Sequence, residues 1–248
     1  MKKLSTENLN LLPSPIELKK ICKSISALEA IICPDWEYRY YSYQSSWSET
    51  EEICEMRNGQ GDHMLILFCE EGTCINGFAN ESEMNGWKSV SVEVKKTFVE
   101  KLFFLKKEPK TKLIQDMPNG LVDELPKLFD EFIFGEPVKS IGTTFCIWQT
   151  MTDTDWKTGK VDLPNDEYKD GSSHLLELLD GNPVSYKNWA EAYYQDNFKE
   201  NELKLEMIEE VFSGTIITRD LVNKINPELN DFEKLKSDLE EIGYQYLL

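Results

Sequence analysis

Two runs of turn-forming residues, Asn58-Gly59-Gln60-Gly61-Asp62 and Glu70-Glu71-Gly72-Thr73, bracket the short apolar stretch Met64–Cys69. This arrangement constrains the fold more than any other feature of the chain. Glycines supply the positive φ that tight reversals need, and an apolar run this short, closed by turns on both sides, suits a buried strand. The chain is therefore expected to run up and down as an antiparallel meander. Its strands are Glu51–Arg57, Met64–Cys69 and Cys74–Ala79, preceded by the aromatic, partly alternating segment Trp36–Trp47. Because strand direction alternates, the segment after the fourth strand returns to the end that holds the turn at 57–63. That turn and residues 80–87 are expected to be neighbours, with Glu70–Thr73 at the opposite end.

Outside the meander the period changes to helical. Leu18, Ile21, Cys22, Ile25 and Leu28 recur at helical spacing over Ile16–Ile31, and Pro34 closes that helix. From Ser89, Val94, Phe98, Leu102 and Leu105 form a stripe among lysines that Pro109 ends, and Val122–Phe134 reads as a further helix. Thr143–Thr150 is β-branched and aromatic, which predicts a strand, and Asp153–Asp170 reads as an exposed loop. From Ser172 the pattern is helical almost to the end. Caps are expected at Ser172 or Ser173, Ser185 and Thr218, and stops at Gly181, Gly214 and Gly243. The fold class is α+β: a mixed region over 1–150 (helix, antiparallel sheet, helices) and an acidic, mostly helical region over 151–248, which can pack on the first as one domain.

Charge narrows the partners. Asp plus Glu number 45 against 27 Lys plus Arg, a formal net charge of -18. Such a field repels phosphate backbones and anionic membrane surfaces, so neither nucleic acid nor membrane is an expected partner, and a basic protein is. The imbalance is concentrated late: residues 161–248 hold 20 acidic and 8 basic side chains. Lys88–Lys112 runs the other way, with eight lysines and three glutamates. No apolar run approaches the ~20 residues of a membrane span, and the first residues lack a signal-peptide apolar core, so a cytoplasmic location is expected.

The chemistry on offer is sparse. There is no phosphate-cradling Gly-rich loop, no nucleophile elbow and no His-Glu-x-x-His pair. The histidines are His63 and His174. Cys54, His63, Cys69 and Cys74 have the residue types of a zinc site but not its short chelating pairs. The six cysteines read instead as reduced, buried, small hydrophobes, with neither disulfide nor metal expected. No cofactor is expected. The final helical pair lacks the basic balance of a DNA-reading helix, since its second member carries Glu233, Asp238, Glu240 and Glu241 against Lys234 and Lys236.

Three stretches, Tyr38–Gly61, Gly77–Met84 and Asp170–Tyr194, resemble a group of uncharacterised bacterial proteins whose genes lie near polymorphic-toxin and mobile loci. The resemblance implies a cytoplasmic accessory protein with an immunity-type binding role, and it carries no catalytic residue. The leading expectation is thus a non-enzymatic binding module that neutralises a basic partner. Its candidate interaction surface comprises Arg57, Asp62, His63, Glu81, Glu83, Trp87, Glu209, Glu210, Glu240 and Glu241. One alternative is a metal-assisted hydrolase built on His63 with Asp62, Glu81 or Glu83, which requires those side chains to converge. A second is a scaffold that self-associates through Trp36–Trp47.

Overall fold

The computed structural model describes residues 2–92, 110–136, 138–195, 197–198 and 202–248. Helix α1 (Pro15–Ile32) starts where the Ser14 side chain accepts from the Glu17 N–H and Pro15 supplies a helical φ. It leads into β1 (Tyr41–Gln44), β2 (Glu51–Arg57), β3 (His63–Cys69) and β4 (Gly72–Phe78), an antiparallel meander. β7 (Phe145–Thr150) joins antiparallel to β4, and the two-residue β8 (Lys157–Thr158) completes a six-stranded sheet of order β1-β2-β3-β4-β7-β8. Between β4 and β7 the chain makes a separate ribbon of β5 (Trp87–Val92) and β6 (Lys110–Gln115), then α2 (Asp130–Phe134) and α3 (Val138–Ile141).

The rest is mainly helical: α4 (Ser172–Leu175), α5 (Pro183–Tyr193), α6 (Leu205–Phe212), α7 (Arg219–Ile225) and α8 (Phe232–Ile242). A parallel pair of two-residue strands, β9 (Ile217–Thr218) and β10 (Tyr246–Leu247), had no signal in the sequence. The architecture is α+β, as its periodicities imply.

Alternation along the strands sorts the side chains into two cores. Tyr41, Tyr43, Cys54, Met56, Met64, Ile66, Phe68 and Ile75 face α1, and α6, α7 and α8 pack on α1 from other sides. One apolar core therefore draws on residues from Leu4 to Ile242, across both halves of the chain. On the opposite face Ile53, Leu65, Leu67, Cys74, Cys146 and Trp148 pack under Phe129, Phe132, Ile133 and Val138. Toward the β1 edge that second face is left open.

Several local expectations are corrected. Trp36–Trp47 is not one strand. Trp36–Tyr38 is a 3-10 turn, because the Arg39 N–H bonds back to Trp36 O, and only Tyr41–Gln44 is extended. Val122–Phe134 is not one helix either. Glu124 sits at φ 66, Pro126 has no N–H to give, and regular helix starts only at Asp130. Ser185 does not cap α5. Asn182 accepts from the Val184 N–H, and the Ser185 hydroxyl donates to Asp180 at 2.6 Å. The segment Asp153–Asp170 is less exposed than expected, for Trp156 and Asp170 are buried and the Trp156 indole N–H reaches Pro13 O at 2.8 Å. Of the lysine-rich helix read from Ser89, residues 93–109 lie outside the described residues, and Ser89–Val92 belong to β5.

Candidate functional site

The turn at 58–62 and the segment after β4 meet at one end of the sheet. Asp62 Oδ1 accepts from the Asn80 N–H at 2.8 Å, and Asp62 Oδ2 from Asn58 Nδ2 at 2.7 Å. Gly59 and Gly61 both adopt positive φ in this turn, the conformation their position requires. Both carboxylate oxygens of Asp62 are thus spent on holding the turn. His63 points across to β2, its Nε2 2.6 Å from Glu55 Oε1. Burial pushes the Glu55 carboxyl up, but the His63 hydrogen bond and charge, with Arg57, outweigh it and leave the group below the usual carboxylate range. The Arg57 guanidinium lies 3.8 Å over the Trp36 ring and donates to Trp36 O at 2.8 Å.

These contacts form a ridge between two cavities. Arg57, Asp62 and His63 line the larger, of about 430 Å³, with Glu37, Tyr38, Arg39 and Tyr193. Trp36 and Glu55, on the other side of the same contacts, line the second, of about 330 Å³, with Trp47, Ile53, Leu65 and Glu241. Four aromatic side chains at these rims are exposed: Trp36 48%, Tyr38 67%, Trp47 46% and Tyr193 41%.

A buried polar network braces this end from beneath. Glu29 of α1 is fully buried and accepts from Tyr186 OH at 2.9 Å, Tyr194 OH at 2.5 Å and the Tyr40 N–H at 3.0 Å. Burial raises its pKa, and the tyrosine hydroxyls and the backbone N–H oppose that shift. Trp189 stacks on Tyr193 with centroids 5.0 Å apart, and Tyr40 meets both rings edge-on. Beside it, Arg39 is buried and paired with Asp238 of α8 at 2.5 Å, while also donating to Cys33 O and Pro34 O. The Tyr193 rim of the larger cavity thus rests on a fixed aromatic stack.

The remaining candidates disperse. Glu81 and Glu83 are exposed and line neither cavity, and the Trp87 indole N–H is committed to Ile141 O at 3.0 Å. Glu209 and Glu210 lie on the exposed face of α6, Glu240 accepts from Tyr246 OH, and Glu241 lines the smaller cavity. His63 takes Glu55 as its carboxylate partner, and both oxygens of Asp62 are engaged within the turn. Among the described residues no group of three His, Cys, Asp or Glu side chains is placed to hold a metal ion. The Cys54–Cys74 spacing cannot close on one ion, since Cys54 faces α1 and Cys74 faces the opposite core.

Sequence reasoning missed Glu29, Arg39, Tyr186 and Tyr194. The available signal was a glutamate inside an otherwise apolar run, Ala27-Leu28-Glu29-Ala30-Ile31-Ile32, followed far downstream by a tyrosine-rich helix. No family model matches the chain, and no curated protein and no solved structure is significantly similar to it.

Proposed function

We propose that this chain is a binding protein for a cationic protein partner, acting in an immunity-type, neutralising role through the β1–β3 end of the sheet. The observation that carries the reading is the row of exposed aromatic rims, Trp36, Tyr38, Trp47 and Tyr193, around two adjoining cavities. Large aromatic side chains at a cavity edge give contact area at little entropic cost and dominate binding hot spots, and two of these, Trp36 and Tyr193, are held in ring contacts. The net charge of -18 adds long-range attraction for a basic partner and accelerates encounter. Carboxylates such as Glu37 and Glu241 at the rims keep the same sign at close range.

The test is affinity capture from the source cell on the immobilised full chain at low ionic strength, with salt elution and mass spectrometry. A basic protein is expected, eluting as salt rises, and charge reversal at Glu209, Glu210, Glu240 and Glu241 is expected to slow its association. Repeated recovery of no partner at low salt refutes the reading. The exposed rings of Trp36, Tyr38 and Trp47 also favour a second reading, self-association, which sedimentation of the purified chain at high concentration decides: a monomer excludes it.

A further inference from the structure

The smaller of the two end cavities has a composition of its own. Its floor is apolar, made by Ile53 of β2 and Leu65 of β3 at the margin of the second core, and Trp36 and Trp47 line its flanks. The charged residues lining it are Glu55 and Glu241, with no lysine or arginine among them. Its groups differ in how far they are already engaged. Trp36 is pinned by the Arg57 stack and by the hydrogen bond to its carbonyl, so it stands as a fixed wall. Glu55 is held by His63 and by the Ser42 hydroxyl. Trp47 is nearly half exposed, and among the described residues its indole has no ring or hydrogen-bond partner. The Glu241 carboxylate likewise has no donor among the described residues, although its backbone carbonyl anchors Ser45 at 2.8 Å.

We propose that this groove is a socket for one arginine or lysine side chain of the cationic partner. The methylene stem lies over Ile53 and Leu65, and the charged head sits against the Trp47 indole and within reach of Glu241, the Trp36 ring being stacked already by Arg57. The chemistry is specific on three counts. Aromatic faces attract a cation through their quadrupole, which a neutral polar group does not exploit. Lysine and arginine are the side chains that pair an apolar stem with a cationic tip, matching an apolar floor with acidic rims. The Glu241 carboxylate, with no donor among the described residues, repels an acidic peptide or a phosphate. The charge of the lining, opposite to that of the proposed occupant, singles out this cavity from its neighbour, where Arg39, Arg57 and His63 mix with Glu37 and Asp62. This inference rests on the partner being a cationic protein and names the place where one of its side chains is read.

The experiment uses the full ¹⁵N-labelled chain and two short probes, the capped peptide Gly-Arg-Gly and its citrulline counterpart, which has nearly the same shape without the charge. The indole N–H resonances are assigned by single Trp→Phe variants. Saturable shifts are expected at Trp36 and Trp47 with the arginine probe, and none at the buried Trp148 and Trp156. Glu241→Gln is expected to weaken the arginine probe about three- to tenfold, as is Trp47→Ala. The double variant Glu70→Gln/Glu228→Gln, on exposed positions that do not line the groove, is expected to leave it unchanged. Equal shifts with citrulline overturn the proposal, as does an equal loss in that double variant, which means diffuse attraction only. A cationic partner captured as described above and retained undiminished by Trp47→Ala and Glu241→Gln overturns the socket while the binding role stands. Saturable, Glu241-dependent binding of the arginine probe with no partner ever captured upholds the socket and refutes the role.

Discussion

Glu29→Gln is the most discriminating perturbation of the fold. Glu29 is fully buried among three donors, two tyrosine hydroxyls and the Tyr40 N–H. Its folded-state pKa is raised above the ordinary 4.5, with burial the largest cause. The native state therefore keeps the proton to higher pH than the unfolded chain does. The stabilisation this gives is complete below pH 4.5 and is lost as pH rises through the folded-state value, at up to about 1.4 kcal/mol per pH unit. A glutamine cannot titrate and shows no such loss. The protonated carboxyl already turns one tyrosine hydroxyl from donor to acceptor, and the amide brings a second N–H donor into the same donor-rich site, at about 1–3 kcal/mol. The expected result is a variant that is less stable than the parent near pH 4.5, with a gap that closes as pH rises. Urea denaturation followed by tryptophan fluorescence at several pH values measures it. Taking the difference between the two proteins cancels Glu55, Glu52 and Asp153, whose lowered pKa values act with the opposite sign in both. A gap that stays constant from about pH 4.5 to 8, or widens, would falsify the reasoning.

Three further outcomes follow from other contacts. Asp238→Asn removes the carboxylate from a buried guanidinium and is expected to destabilise by about 3–5 kcal/mol, read as a lowered thermal midpoint; an unchanged midpoint shows that Cys33 O and Pro34 O suffice for Arg39. Gly77→Ala drives a methyl to 2.0 Å from the Phe145 ring, itself fully buried, and is expected to lose about 1–3 kcal/mol or more in urea denaturation; Gly77→Ala/Phe145→Leu should recover part of that loss. Thiol titration with a chromogenic disulfide should count six cysteines in denaturant, whereas in the native protein at most Cys33 and Cys69 react, and slowly, because burial pushes both thiols up; rapid native reaction at Cys22, Cys54, Cys74 or Cys146 contradicts the packing.

The sheet was legible because its information is local. Gly59, Gly61 and Gly72 mark the reversals, and the strands between them have one register that keeps Met64, Ile66 and Phe68 on the α1 side. The final helices were legible for the same reason, through Thr218 as a cap and Gly243 at φ 70 as a stop. What eluded the sequence is long-range. Nothing near Glu29 announces that Tyr186 and Tyr194 will meet it, and nothing near Arg39 names Asp238, 199 residues away. The candidate site was only partly legible for a related reason. Asp62 and His63 were correctly placed at the turn, but their partners, Asn80, Asn58 and Glu55, follow from strand register and turn geometry rather than from chemical type. Trp47 and Trp36 flank the open sheet face because the chain leaves strand geometry on either side of Tyr41–Gln44, a break that alternation alone conceals.

Helix α1 has consequences for how the chain is made. It is synthesised before the helices that cover it, and every one of its residues from Ser24 to Ile32 is buried in the finished fold. The elements that cover it, α6, α7 and α8, come long afterwards; the Ser24 hydroxyl bonds to Val211 O across 187 residues. Closing such spans costs entropy that grows only slowly with length, so the finished fold is little penalised, but folding dominated by distant contacts is slow. During synthesis α1 is thus an exposed apolar rod beside a nearly complete sheet, the kind of surface on which nascent chains stick together.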